Sequence, residues 1–461
     1  MRGIRVWTAL AATLALSGCP GPEPSEEESG SESTETGVAE DPGHDPLSMP
    51  AEPTLNPADF ESAEQCAGCH PTYYAEWQLS RHGRAMRDPV FRAMVELRQD
   101  DLDASEDQFC AQCHSAICTR GGECVSGFDF AELSPISLEG VTCVSCHRVS
   151  AVERDYNSGH LLDPEGPLRG PLSDPQANAF HDSEYAEHFD DSVFCGGCHD
   201  VIETSGLNLE RPYAEWLESP AAPDQNCQSC HMPTYSGQAA VGGPEREGLH
   251  RHRFIGVDLP MEGDVDDATL AQIDAQIEQL LQGSASLTLD HAATIGAGQQ
   301  LDVQVTIRNL IAGHAFPTGS TFIRQVWLDL RVQDANDQLI YATGELDSEG
   351  DLGDFWSTVA PYSDPDLIVI DSGLTDIHGT PELFSWRATE HTSTAISPLH
   401  DRTYTLFVPV PADAQGPLQI EAALHFRAYP PFLLRMLGLE HLIELAVVRE
   451  VATSAAQVEV L

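Results

Sequence analysis

Beyond Ser284 apolar and polar residues alternate with a period of two. Leu301, Val303, Val305 and Ile307 interleave with Asp302, Gln304, Thr306 and Arg308. Val326, Leu328, Leu330 and Val332 repeat the pattern, and so do Ile420, Ala422, Leu424 and Phe426. Successive side chains of a strand point to opposite faces, so this alternation predicts half-buried strands. Asn, Asp and Gly turns between them make a β-sandwich of the immunoglobulin-like kind the expected fold of residues 284–461. Just before it, Leu270, Ile273, Ile277, Leu280 and Leu281 recur at helical spacing. They predict an amphipathic helix over Asp267–Leu281, started by Asp266 or Asp267 and ended by Gly283. Residues 260–283 are therefore read as a connector. Pro430–Leu445, rich in Leu, predicts a short apolar helix that packs in the core or docks on a membrane or partner.

Residues 59–259 are expected to form a mainly α-helical and irregular domain of short helices and loops. Strand patterns are nearly absent there, and Pro164, Pro167, Pro171 and Pro175 punctuate one irregular stretch. Residues 20–58 are acidic, rich in Pro and Ser, and lack Lys, Arg and aromatic residues. Such a stretch cannot bury enough apolar surface to fold and is expected to be a disordered tether.

The chain of 461 residues has room for two or three domains. It carries 73 acidic and 23 basic residues, a formal charge of −50, with no Lys at all. That excess argues against nucleic acid and anionic lipid headgroups as partners. It suits a soluble surface, basic partners or a salty habitat.

What residues 59–259 do contain is one phrase five times: Cys66-Ala-Gly-Cys69-His70, Cys110-Ala-Gln-Cys113-His114, Cys143-Val-Ser-Cys146-His147, Cys195-Gly-Gly-Cys198-His199 and Cys227-Gln-Ser-Cys230-His231. Each reads C-x-x-C-H, the attachment signal of a c-type haem. Two thiols three residues apart reach the two vinyl groups as thioethers, and the next residue, His, faces the iron. Zinc also uses C-x-x-C, but it would want paired C-x-x-C units rather than a His after each one. Five covalently attached haems c are expected. At about forty residues per motif the chain is too short for a conventional side-chain core, so the haems would supply the apolar bulk.

Ten of the 13 Cys belong to these motifs. Cys118 and Cys124 flank a Gly-rich loop; in an oxidising compartment a disulfide is expected, with free thiols near a haem as the alternative. The last is Cys19. Arg2 and Arg5 precede a short apolar core, Val6–Leu16, too short to span a bilayer. Leu16-Ser17-Gly18-Cys19 then resembles the lipobox of bacterial lipoproteins. That likeness implies a signal peptide over residues 1–18 and a lipidated Cys19 that anchors the chain to a membrane. A periplasmic or surface-exposed lipoprotein of the cell envelope is expected, and Pro20 in place of Asp points to the outer membrane.

The haem-motif region also resembles multihaem c-type cytochromes grouped with the tetrahaem cytochrome of nitrifiers. The likeness lies in Cys66–His70 followed by Tyr74, Trp77, Ser80 and His82; in His181 ahead of Cys195–Asp200; and in Glu215-Trp216, Ser219 and Cys227–Pro233, with His252-Arg253-Phe254-x-Gly256 after it. Five motifs and an added β region depart from the nitrifier protein. The resemblance implies closely packed bis-His haems and marks His82, His181 and His252 as distal ligands. His160 is a further candidate. His188 and His250 are rivals of His181 and His252, and Met86, Met94 and Met232 are thioether alternatives. Gly313-His314-Ala315-Phe316-Pro317-Thr318-Gly319 resembles a G-H-x-F-P-T-G segment of β domains fused to multihaem cytochromes. His314 is then the fifth distal ligand, with Gly313 and Phe316 expected against the macrocycle.

Three functions remain. One is an electron-transfer protein passing electrons along five haems to redox partners that are basic or themselves multihaem. The second is an oxidoreductase acting on a small nitrogen or sulfur compound at one open iron. The third is a surface-binding β module. Without Lys the chain cannot supply the Lys ligand typical of ammonia-forming nitrite reductases, and it has too few motifs for the eight-haem hydroxylamine oxidase type.

Overall fold

The computed structural model describes residues 53–461. Cys19, the signal peptide and the tether up to residue 52 lie outside the described residues. The tether was expected to reach residue 58, yet its last residues are tied down. Leu55 N–H donates to the Arg120 carbonyl at 3.2 Å, and Pro57 is buried against Gly121.

The haem-motif region is built of short helices, most of them between four and seven residues long; the longest is Pro89–Asp101. The near absence of strands expected there needs correction. Four two-stranded pairs form, among them Val149–Val152 with His160–Leu162 and Thr234–Gln238 with Glu245–His250. They are two to six residues long, too short for alternation to be read from sequence. Cys118 and Cys124 are joined by a disulfide with Cα atoms 5.1 Å apart. It is fully buried in an apolar cluster with Met86, Val95, Phe128 and Phe130.

The connecting helix runs Asp267–Gln282. The Asp266 carboxylate caps it, accepting from the Ala268 and Thr269 amides. Ile277 and Leu281 form its buried stripe.

The rest is strand-rich. One sheet of five strands orders Thr294–Ile295, Arg449–Val460, Leu418–Arg427, Gln325–Gln333 and Leu339–Thr343. A second orders Asp401–Pro409, Gln300–Asn309 and Ala285–His291, all antiparallel. Val303, Val305 and Ile307 from the smaller sheet and Val326, Leu328, Leu330, Val332, Ile420 and Leu424 from the larger one are all fully buried and share one core. The period-two pattern is thus the imprint of two sheets facing each other. Trp327, on the opposite face of its strand, is buried too, and its indole N–H donates to Gly344 O. The Leu-rich stretch splits into a helix, Pro431–Met436, and a 3-10 turn, Glu440–Leu445. Its Phe432, Leu433 and Leu434 pack in the core. Among the described residues no helix is long and apolar enough to cross a membrane.

The two regions are closely joined. Arg324 of the β region forms a largely buried ion pair with Asp258, the two side chains 15% and 11% exposed. Glu203, fully buried, accepts from Arg98 at 2.9 Å and from the Ser385 hydroxyl at 2.6 Å. Asp101 accepts from the Trp386 indole at 2.7 Å and from Arg387 at 2.6 Å.

Candidate haem-binding sites

Each C-x-x-C-H motif lies on a short helix or at its end. The helices are Ala63–Ala67, Gln108–His114, Cys143–His147, Val193–His199 and Cys227–His231. Residues i, i+3 and i+4 share a helix face, so both cysteines and the His of one motif project together. Local capping stops these helices drifting. Ser62 caps the first, Thr142 and Ser145 form a capping box on the third, and Asn226 caps the fifth.

Four motif histidines face a second imidazole. His70 stands 6.4 Å from His181 between ring centroids, His199 6.0 Å from His82, His147 6.3 Å from His252, and His231 6.2 Å from His314. Interplanar angles are 32°, 42°, 21° and 21°. Two metal–imidazole bonds of about 2 Å, plus about 1 Å from each nitrogen to its ring centre, put centroids about 6 Å apart. A direct stack of the rings would be far closer.

The ring nitrogens agree with this spacing. Nδ1–H of His70 donates to Ala239 O at 2.7 Å and that of His147 to Arg169 O at 2.6 Å. On the facing side, His252 donates to His250 O at 3.0 Å and His314 to Ala315 O at 2.9 Å. A ring whose Nδ1 carries the proton keeps Nε2 as a lone pair for iron. Burial pulls His82, His114 and His231 down to about 4 and His252 to about 3, so the rings stay neutral and able to ligate. His199 and His231 nevertheless show exposed surface. The residues therefore fit haem c.

His114 differs. Phe91 stacks on its ring at 3.8 Å and 8°, and its Nδ1–H donates to Ala85 O at 3.3 Å. His160 does not face it. The His160 Nε2–H donates to Phe194 O at 2.7 Å, and its Nδ1 lies 3.6 Å from the Cys198 sulfur. Among the rivals, His250 turns to Met232 O and His188 stacks on Phe194. Met86 is fully buried in the cluster around the disulfide.

The motifs also neighbour each other. Each of the thiols Cys66 and Cys143, Cys113 and Cys198, and Cys195 and Cys227 shifts its partner's titration, which puts those motifs side by side. The motif ending in His199 thus neighbours both the second and the fifth.

The His314 loop needs two corrections. Phe316 packs in the β core instead of against the motif helices, because its strand neighbour is Ile396. Gly313 lies against Trp216 and Ala221. Two carboxylates have roles that sequence reasoning did not assign: Glu215, quoted there without a role, and Glu76. Glu215 accepts from Ala315 N at 3.1 Å and from Thr318 Oγ1 at 2.6 Å. Glu76 accepts from His252 N at 2.8 Å and from Arg251 at 2.8 Å. Glu76 precedes Trp77, which the resemblance quoted, and Glu215 belongs to the quoted set.

Residues 65–148 match the family model of cytochrome c554 and c-prime. That stretch is under a fifth of the chain and holds the first three C-x-x-C-H motifs, so the likeness to this family rests on the motif region. Among solved structures the fold is similar to a penta-heme cytochrome c552 from Thermochromatium tepidum, with a TM-score of 0.61 and 21% identity, covering 87% of this chain and 100% of that one. A CARDB domain from Pyrococcus furiosus also aligns, at 13% identity over 38% of this chain and 87% of that one; its TM-score of 0.15 carries no argument. No curated protein matches.

Proposed function

We propose that this chain is a membrane-anchored electron-transfer protein that binds five haems c, at least four of them between two histidines. When bound, haem c supplies a one-electron iron couple. The observation that carries the reading is the set of four imidazole pairs at 6.0–6.4 Å. Two fixed axial histidines leave little room for a substrate and little ligand rearrangement between oxidation states. The chain's own residues do the rest. Backbone carbonyls lock the ring tautomers, and the adjacent motifs keep neighbouring centres close. These adjacencies support a path from the first motif to the third and from the second through the fourth to the fifth. The β region, read as an immunoglobulin-like module, supplies His314. Cys19 would fix the assembly to the outer membrane, and the acidic surface favours a basic redox partner.

A second reading is favoured by one observation. His114 has Phe91 beside it and no facing imidazole among the ring contacts of the described residues. That motif supports an open iron on which a small molecule could react. Two measurements test both readings. The mass of the denatured chain should exceed the polypeptide by five haems. Carbon monoxide added to the reduced protein should bind one haem or none. Four or fewer haems overturns the five-centre reading, and two or more carbon monoxide sites in the native protein overturns the bis-His wire.

A further inference from the structure

The β region is attached to the haem-motif region at several places, and one carboxylate grips the loop that carries His314 at two points. We infer that Glu215 is the positioning residue of that loop, holding the His314 imidazole at its distance from His231. The inference rests on the reading of His314 as an axial ligand. Glu215 sits on the helix Pro212–Leu217 of the haem-motif region. Its Oε2 accepts from the Ala315 amide, directly after His314, and from the Thr318 hydroxyl. One carboxylate oxygen thereby binds both sides of the loop. Two neighbours narrow the loop's freedom further. The Trp216 side chain lies 3.7 Å from where a side chain on Gly313 would begin, and Glu210 accepts from the Ser320 hydroxyl at 2.5 Å.

The β side of the loop holds its backbone. Asn309 Nδ2 donates to His314 O at 3.0 Å and to Ile396 O at 2.9 Å. That bond fixes the carbonyl, not the direction of the ring. Setting the loop against His231 requires a contact that starts from the haem-motif region, and Glu215 makes it. Removing Glu215 would not undock the β region. The pairs Ser385–Glu203 and Arg387–Asp101 remain and are distant in sequence from the loop, and Arg324–Asp258, just past it, remains as well. An axial bond tolerates little error, and a ligand about 1 Å out of place is lost. Glu215 therefore governs ligation without governing docking.

The test is carbon monoxide binding to the reduced, haem-loaded full chain, read with the high-spin fraction of the oxidised spectrum. His314→Ala should bind about one more carbon monoxide per chain than the wild type. Glu215→Ala should approach that value. Glu215→Gln keeps an accepting oxygen and should match the wild type, as should Asp101→Asn, which removes only a docking contact. Thr318→Val deletes one of the two bonds without altering Glu215 and should give a smaller rise; it carries the test if Glu215→Ala does not fold. Wild-type binding in Glu215→Ala or Thr318→Val, alongside a rise in His314→Ala, overturns the inference alone. No rise in His314→Ala overturns the axial reading beneath it. An equal rise in Asp101→Asn overturns positioning in favour of general docking.

Discussion

Val303, Val305 and Ile307 are buried between two sheets, whereas the motif histidines His199 and His231 are exposed. The β region closes on its own side chains. The haem-motif region keeps its apolar clusters small, and its histidines pair across gaps of 6.0–6.4 Å. One region carries its core in its sequence, and the other is completed by a group the sequence only attaches. The regions meet where a β-region loop enters the haem-motif region and sets His314 opposite His231.

The sharpest way to break this comparison is to make the chain without haem attachment. The β region, from residue 284 on, should stay resistant to trypsin, while cleavage at Arg81, Arg120 and Arg154 should accelerate by about tenfold or more. Equal resistance in both regions would mean that the haem-motif region has a sufficient core of its own.

A smaller effect is expected where the regions join. Glu203→Gln leaves the buried Arg98 facing a neutral amide, at a cost of about 3 kcal/mol in chemical denaturation. Glu106 also pairs with Arg98 and would soften the loss. Burial pushes the Glu203 carboxyl up, but bonds from Arg98 and Ser385 outweigh it and leave it below its ordinary 4.5. A depressed carboxyl stabilises the fold fully above its unfolded pKa and loses that contribution as pH falls through the folded value. Acid unfolding of the wild type should therefore steepen below about pH 4.5, and the variant should lack that component. A variant with the wild-type acid profile would remove Glu203 from the account.

The smallest effect belongs to the connector. Asp266→Ala removes the cap of the Asp267–Gln282 helix and should cost about 1 kcal/mol by thermal or denaturant unfolding, with haem spectra unchanged. A spectral change would mean that the helix controls the haem sites.

Legibility in the sequence followed the same division. The strands Gln300–Asn309 and Leu418–Arg427 could be read because one face is buried over ten residues. The short strands around His160 and His250 could not, since two to six residues show no period. The haem motifs were legible because thioether attachment fixes local spacing. Facing partners were not, since Leu168–Gly170 and Ser183–Tyr185 pair in three dimensions to bring His181 near His70 with no local rule behind it. His160 shows the limit most clearly. Counting irons suggested it, but a carbonyl at Phe194 holds its Nε2. Glu215 was quoted in a motif, yet its partners are 100 and 103 residues away.

The measurement closest to the central claim is electron paramagnetic resonance of the oxidised, haem-loaded chain, with spins counted. The account predicts four low-spin centres with the rhombic signals of imidazole planes no more than 42° apart, and a separate signal from the centre at His114. His314→Ala should convert one low-spin centre to high spin. Fewer than four low-spin bis-His centres in the native protein, or a His314→Ala spectrum identical to the wild type, would contradict it.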